Sequence, residues 1–319
     1  MVSLITGIGG MIGTHLSEFL LKKNDKVAGT YYNPTVNKKE LPKEASLNEC
    51  DVRYLNAVYG IISDYMPDRI FHLAAQSLPT VSLKKPQETF DINCTGTINI
   101  FESIKLIRKQ NPHYNPKVVV ACSSAEYGAS LTKENTPIKE DTQLLPLHPY
   151  GVSKVAQDLL SYQYYKSDGL NSIRVRIFNT TGPRKINDVC SDFTKRATEI
   201  EKGNSDKLLV GNISTKRAIT DVRDLVIALE LLSEKGSPGD VYNVSGEKAY
   251  EISDIIEIIK KNSPAKIEIE VDSRLLRPTD EPVIFGDSTK LKKCTGWYQQ
   301  YSIEQTIIDM LEYWRKNAA

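Results

Sequence analysis

The sequence carries almost no surplus of charge: 41 Lys and Arg stand against 40 Asp and Glu, for a formal net charge of +1 over 319 residues. That excludes the basic surface a nucleic-acid partner would need. Long apolar runs are missing too. The mean hydropathy is −0.34, and no stretch approaches the ~20 apolar residues of a membrane span. The opening Met-Val-Ser-Leu-Ile-Thr runs from strand pattern straight into glycines, without the basic, apolar and small-residue regions of a signal peptide. The five cysteines (Cys50, Cys94, Cys122, Cys190, Cys294) are scattered, with no C-x-x-C pair. A zinc site or disulfide framework is therefore not expected. A cytoplasmic, reducing location with no nucleic-acid and no membrane partner is. Low-complexity tracts and internal repeats are absent as well.

What is present is a βαβα rhythm. Val2–Thr6 and Lys26–Thr30 read as strands around a helix at Met11–Lys22, with Ile12, Leu16, Phe19 and Leu20 on one face. Asp68–Leu73 and Lys117–Ala121 are continuously apolar, as parallel strands buried on both faces are. Long helices are expected at Thr89–Arg108 and Val152–Lys166. Later helices are expected at Asp192–Lys202, Arg223–Glu234, Ile252–Lys261 and Ile303–Lys316. The fold class is therefore α/β, a doubly wound parallel sheet covered on both faces. Residues 1–178 form the sheet domain. Residues 179–319 form a smaller, irregular region, with some segments returning to the sheet.

Between the first strand and helix lies Thr6-Gly7-Ile8-Gly9-Gly10-Met11-Ile12-Gly13. Gly7 suits a tight turn, Gly10 a close approach to a pyrophosphate, and Gly13 close packing of helix on sheet. The backbone N–H groups at Met11 and Ile12 would complete a dinucleotide site. The acid expected at the end of the second strand, to hold a ribose hydroxyl, is missing. Gly29-Thr30-Tyr31-Tyr32-Asn33 has neither that acid nor an arginine, so NAD and NADP both remain open. Asp51 and Val52 follow the third strand, either at the adenine edge or as a helix cap.

Tyr150 and Lys154 stand one helical turn apart on one face. An ammonium beside a phenol, with a nicotinamide cation next to it, favours the phenolate and lowers its pKa, which suits proton exchange with an alcohol during hydride transfer. Ser123, at the end of a buried strand, offers a hydroxyl to the same oxygen.

With these pieces together the chain resembles the extended short-chain dehydrogenase/reductases, with their Rossmann-type fold. The resemblance rests on Thr6–Gly13, His72–Ser77, Asn93-x-x-Gly96-Thr97, Ser123–Gly128, Pro149–Lys154 and Phe178–Pro183, in the family's order. It implies an NAD(P)-dependent enzyme acting on a nucleotide sugar, with Ser123, Tyr150 and Lys154 catalytic. Cofactor contacts are implied at Gly7, Gly10, Met11, Ile12, Tyr31, Asp51, Val52, Leu73, Ala74, Ala75 and Asn93, besides Tyr150 and Lys154. It also implies a homodimer through the helix after Thr89 and the Tyr150 helix. Phe90, Ile98, Ile100, Phe101 and Ile104 are compatible with that interface and with helix–sheet packing. His72, inside the cofactor-lining segment, reads as a packed and hydrogen-bonded histidine. His148 is expected to shape the turn before Tyr150.

Ser191–Phe193, Lys216–Asp224, Val241–Ser245, Leu276–Pro282 and Thr295–Trp297 are similar to the GDP-mannose-modifying branch, both its 4-keto-6-deoxymannose reductases and its 4,6-dehydratases. The substrate implied is a GDP-linked sugar, held by Ser124, Ala125, Glu126, Asn179, Val189, Arg217 and Arg277. Forked guanidinium donors suit a diphosphate. Arg184-Lys185 departs from the reductase pattern toward the dehydratase one. The dehydratases of this branch carry an acid two residues after the catalytic Ser or Thr. Here that position is Ala125, and Glu126, its neighbour, is expected on the opposite face of a strand end. Loss of water elimination with retention of C4 oxidation or reduction is the expectation. A 4,6-dehydratase, a C4 epimerase and a non-catalytic sensor are the alternatives.

Overall fold

The structure is a computed structural model that describes residues 1–275 and 281–317. Strand β1 (Val2–Thr6) leads through the glycines into α1 (Met11–Lys22), then β2 (Lys26–Tyr31), β3 (Ser46–Glu49), α2 (Leu55–Tyr65) and β4 (Arg69–His72). Next come α3 (Pro79–Lys84), α4 (Pro86–Phe90), α5 (Gly96–Arg108), β5 (Lys117–Ser123), α6 (Pro149–Asp168) and β6 (Ser172–Ile177). The remainder is β7 (Thr180–Thr181), α7 (Val189–Glu201), β8 (Lys207–Val210), β9 (Lys216–Ala218), β10 (Thr220–Asp221), α8 (Val222–Lys235) and β11 (Val241–Val244). It closes with β12 (Ala249–Glu251), α9 (Ile252–Lys261), β13 (Glu268–Val271), β14 (Val283–Ile284), α10 (Thr289–Thr295) and α11 (Ile303–Asn317).

Seven strands form one parallel sheet in the order β11-β6-β5-β4-β1-β2-β3. β1 lies between β2 and β4, with Thr6 in register with Thr30 on one side and His72 on the other. The winding reverses there, so a crevice opens beyond the carboxyl ends of β1 and β4. Both faces are covered, which is why β5 reads Val118-Val119-Val120 without alternation. One face packs Leu16 and Leu20 of α1 with Leu225 and Leu229 of α8. The other packs Ile62 of α2 with Ile100, Phe101 and Ile104 of α5. A separate apolar cluster joins α7, α9 and α11 through Phe193, Ile255, Ile259, Ile307 and Met310. Although late in the chain, α8 and β11 belong to the large sheet and its cover.

Three helices start three residues before the sequence expectation: α7 begins at Val189 rather than Asp192, where Asp188 caps it by accepting the Ser191 N–H, and the other two differ for local reasons as well. α6 begins at Pro149 rather than Val152, because His148 Nδ1 accepts the Gly151 N–H and proline suits the first helical position. It ends at Gly169, which is left-handed at φ +62°. The helix expected from Thr89 starts at Pro86 and is interrupted by a π turn at Asp91–Thr95. Such turns reposition side chains within a helix.

Gly7 adopts φ +75°, and a Cβ on it would lie 2.8 Å from the Ala74 nitrogen. The loops after β1 and β4 thus touch backbone to backbone. At Gly13 the clash would be with the turn rather than the sheet, 2.3 Å from the Gly7 carbonyl oxygen. Gly60, within α2, has nothing within 4 Å of the same position. Gly60→Ala should therefore raise stability by roughly 0.4–1 kcal/mol, and Gly13→Ala should lower it by more than about 1 kcal/mol. Urea unfolding midpoints of the two variants check this, and equal effects would contradict the packing described.

Candidate active site and cofactor cleft

The phosphate cradle is built by α1 and the turn before it. Gly10 is the N-cap of α1 without a side-chain cap, and the first turn contains no acid. A Cβ on Gly10 would find only the Gly7 carbonyl oxygen, at 3.4 Å. Open N–H groups, a positive helix end and empty space above Gly10 suit a dinucleotide pyrophosphate. The side chains of Met11 and Ile12 pack into the core, so these residues offer their backbone to the cleft.

Further along the cleft, Tyr31 ends β2, with Lys38 Nζ 5.0 Å from its ring centroid. Asp51 is held by Arg53, whose Nε lies 3.1 Å from Oδ1 and whose NH2 lies 2.6 Å from Oδ2. This holds the Asp51 carboxyl below its usual range against the opposing effect of burial. The Val52 side chain is buried in the core, and its carbonyl accepts from Asn99. Leu73, Ala74 and Ala75 follow β4 and are half-buried. The Ala74 N–H donates to Thr6 Oγ1 at 3.2 Å.

Asn93 is a correction to the cofactor-binding set. It is fully buried in the π turn. Its Oδ1 accepts the Gln76 N–H at 2.9 Å, and its Nδ2 donates to the Gln76 carbonyl and to Ser153 Oγ. A buried amide must satisfy its polar atoms, and this one does so by tying the loop after β4 to α6. His72 is likewise enclosed. Thr97 donates to the Asn93 carbonyl, so it accepts from His72 Nε2, while Nδ1 faces Thr6 Oγ1. Burial and Lys154 push His72 down to about 3, so it is a neutral packed histidine as expected.

Ser123, Tyr150 and Lys154 meet at the carboxyl end of β5. The Tyr150 phenol hydrogen-bonds Ser123. Lys154 Nζ donates to the Ala121 carbonyl at 2.8 Å and to Gln157 Oε1 at 2.7 Å, 5.8 Å from the Tyr150 ring centroid. His148 stacks on that ring with 5.9 Å between centroids. The expected lowering of the phenol by Lys154 is not met in the protein alone. Burial dominates and pushes Tyr150 up to about 12, with the Ser123 hydrogen bond opposing. Burial also lowers Lys154.

Of the substrate-binding set, Ser124 is buried and Ala125 half-buried, both in a single 3-10 turn, Ser124–Glu126. Glu126 requires correction: it is fully buried, away from the cleft. The strand ends before it, so alternation no longer applies, and the turn swings its side chain under Ser123. There Oε1 accepts the Ser123 N–H at 2.8 Å, and Oε2 lies 3.1 Å from Arg176 Nε. Asn179 is exposed between β6 and β7, and Val189 is the half-buried first residue of α7. Arg217, on β9, donates to the carbonyls of Lys216 and Glu281, each at 2.9 Å. Arg277 lies outside the described residues. Arg184, at φ +71°, bridges Glu18 and Glu40.

Beneath the site lies a charged cluster that sequence reasoning missed. Arg176 Nε is 2.9 Å from Asp158 Oδ2, and Arg174 NH1 is 2.6 Å from Asp158 Oδ1. The signal was available: two arginines two residues apart share one face of an otherwise apolar strand, β6, and require buried partners. Among the described residues all five cysteines are free, and no helix is long and apolar enough to cross a membrane.

Comparison with known proteins places these features in context. The chain is 27% identical over 312 residues to the GDP-6-deoxy-D-mannose reductase of Pseudomonas aeruginosa, covering 97% of this chain and 96% of that protein. It is 28% identical over 331 residues to GDP-mannose 4,6 dehydratase 1 of Arabidopsis thaliana, covering 98% and 89%. The solved structure of RMD from Pseudomonas aeruginosa, complexed with NADPH, superposes with a TM-score of 0.84 at 25% identity, over 99% of each chain. A UDP-glucose 4-epimerase from Thermotoga maritima shares the fold, with a TM-score of 0.90 at 24% identity and all of both chains covered. A model of the GDP-mannose 4,6 dehydratase family matches residues 4–310, and the chain belongs to that family of NAD(P)-dependent short-chain dehydrogenase/reductases.

Proposed function

We propose that this protein is an NAD(P)-dependent oxidoreductase acting at C4 of a GDP-linked mannose-type sugar, as a 4-keto reductase or C4 dehydrogenase in cytoplasmic nucleotide-sugar and polysaccharide biosynthesis. The observation that carries the reading is the Ser123–Tyr150–Lys154 assembly beside a turn that presents Ala125 and buries Glu126. A nicotinamide cofactor, when bound, would supply or accept the hydride at the sugar carbon. Tyr150, raised to about 12, is a protonated phenol at neutral pH and can donate its proton to the C4 oxygen. Ser123 holds that oxygen, and the Lys154 ammonium favours the phenolate left behind. Met11 and Ile12 offer N–H groups to the pyrophosphate, Tyr31, Asp51 and Val52 stand toward the adenosine, and Leu73, Ala74 and Ala75 line the path between. Ser124, Ala125, Asn179, Val189, Arg217 and Arg277 are assigned to the sugar nucleotide.

Water elimination across C5 and C6 needs a carboxylate that takes one proton and returns another. Ala125 has none, and both oxygens of Glu126 face Ser123 and Arg176. The family model and the plant relative bear a dehydratase name, so the competing reading is a 4,6-dehydratase. Supplied with GDP-4-keto-6-deoxymannose and NADPH, the enzyme should consume NADPH stoichiometrically. Conversion of GDP-mannose to the 4-keto-6-deoxy sugar without net cofactor use would make it a dehydratase instead. Tyr150→Phe should lower kcat by about 10²–10⁴-fold while cofactor binding, followed by NADPH fluorescence, persists.

The homodimer belongs to the same proposal, with a changed surface. Ile100, Phe101 and Ile104 are fully buried against the sheet and cannot reach a partner. The exposed apolar residues Val152, Leu159 and Tyr162 of α6, with Leu83 of α3, supply the patch instead. Leu159→Asp should give a monomer by light scattering, and an unchanged dimer mass would exclude this surface.

A further inference from the structure

We propose that Glu126 is a positioning residue: its buried carboxylate fixes the backbone of Ser123 and supplies the negative charge that faces the Tyr150–Lys154 pair from beneath. The inference rests on the reading of Tyr150 as the proton-transferring group.

The geometry is a closed ring. Oε1 accepts the Ser123 N–H at 2.8 Å, while Ser123 Oγ accepts the Ala125 N–H at 3.1 Å. The 3-10 turn therefore holds Ser123 at both ends of the residue. The second carboxylate oxygen meets Arg176. Arg176 is shared with Asp158 and donates as well to Tyr127 Oη and the Glu140 carbonyl. Facing Glu126 are Cys122 from β5, Tyr150, Lys154 and Asp158 from α6 and Arg176 from β6. Ligand atoms of Cys122, Glu126 and Asp158 lie within 4.8 Å of one another, but Arg174 and Arg176 already bring positive charge there. The cluster is thus an internal ion network rather than a cation site. Two carboxylates confront two guanidiniums and the Lys154 ammonium.

Burial and Asp158 push the Glu126 carboxyl up, while Arg176 and the Ser123 N–H oppose. The guanidinium 3.1 Å from Oε2 and the N–H on Oε1 are the groups that favour its ionised form. A carboxylate nearby favours the protonated form of Tyr150 and of Lys154 alike. Removing the charge therefore moves every deprotonation step of the coupled pair to lower pH.

The test is the pH profile of kcat for Glu126→Gln, whose amide oxygen still accepts the Ser123 N–H. The profile should be displaced to lower pH by roughly one unit, with KM for the sugar nucleotide unchanged. A merely structural residue would leave the profile in place, and that result overturns the proposal. Glu126→Asp keeps the charge but not the reach. It should retain the wild-type profile at reduced kcat, and a displacement equal to that of Glu126→Gln also overturns the proposal, so a Gln variant that fails to fold leaves a deciding measurement. Tyr150→Phe separates the two readings. Full kcat in that variant removes the role of Tyr150 itself, whereas an inactive Tyr150→Phe beside an undisplaced Glu126→Gln removes only the role of Glu126.

Discussion

An ammonium taken out of water costs several kcal/mol unless protein dipoles and charges replace its hydration, and Lys154, 3% exposed, is such a group. Its replacement shell comes from three directions: the Ala121 carbonyl on β5, the Gln157 amide on α6 and the carboxylate of Glu126 below. Much of the local architecture serves that shell. β5 must end where its carbonyl meets the lysine, and α6 must start with Tyr150 in its first turn. His148 and Pro149 set that start, and Asn93 ties Ser153, next to the lysine, to the loop that passes the glycine turn. The cradle and the proton-transfer groups are therefore one mechanical unit built on the switch point of the sheet.

Features governed by local backbone chemistry were legible in the residues. The glycine turn, the parallel strands and the spacing of Tyr150 and Lys154 follow from short-range rules, and α1 and α9 match the sequence pattern end to end. Features governed by what lies across the sheet were not. Glu126 does turn away from the Ala125 side as expected, but through the 3-10 turn rather than strand alternation, since β5 has already ended at Ser123. Asn93 was read by its place in a motif, while its three hydrogen bonds depend on the π turn. The phenol of Tyr150 was judged with a nicotinamide cation beside Lys154, whereas in the protein alone burial dominates and raises it. The choice between NAD and NADP stays illegible for a chemical reason: the end of β2 offers neither a carboxylate to a ribose hydroxyl nor a guanidinium to a phosphate.

The π turn also shows how a helix can serve two masters. On one side α5 buries Ile100, Phe101 and Ile104 against the sheet. One turn earlier, the wider winding brings Asn93 inward to the Gln76 backbone while Asp91 and Thr95 remain exposed. A regular helix through the same residues would carry Asn93 to a different bearing relative to Ile100.

The return of α8 and β11 to the large sheet bears on how the chain is made. Leu225 and Leu229 cover a face that β1, β5 and α1 expose until residues beyond 222 have left the ribosome. The half encoded first is therefore completed only by a segment from beyond its own end, and its apolar sheet face stays uncovered until that segment has emerged.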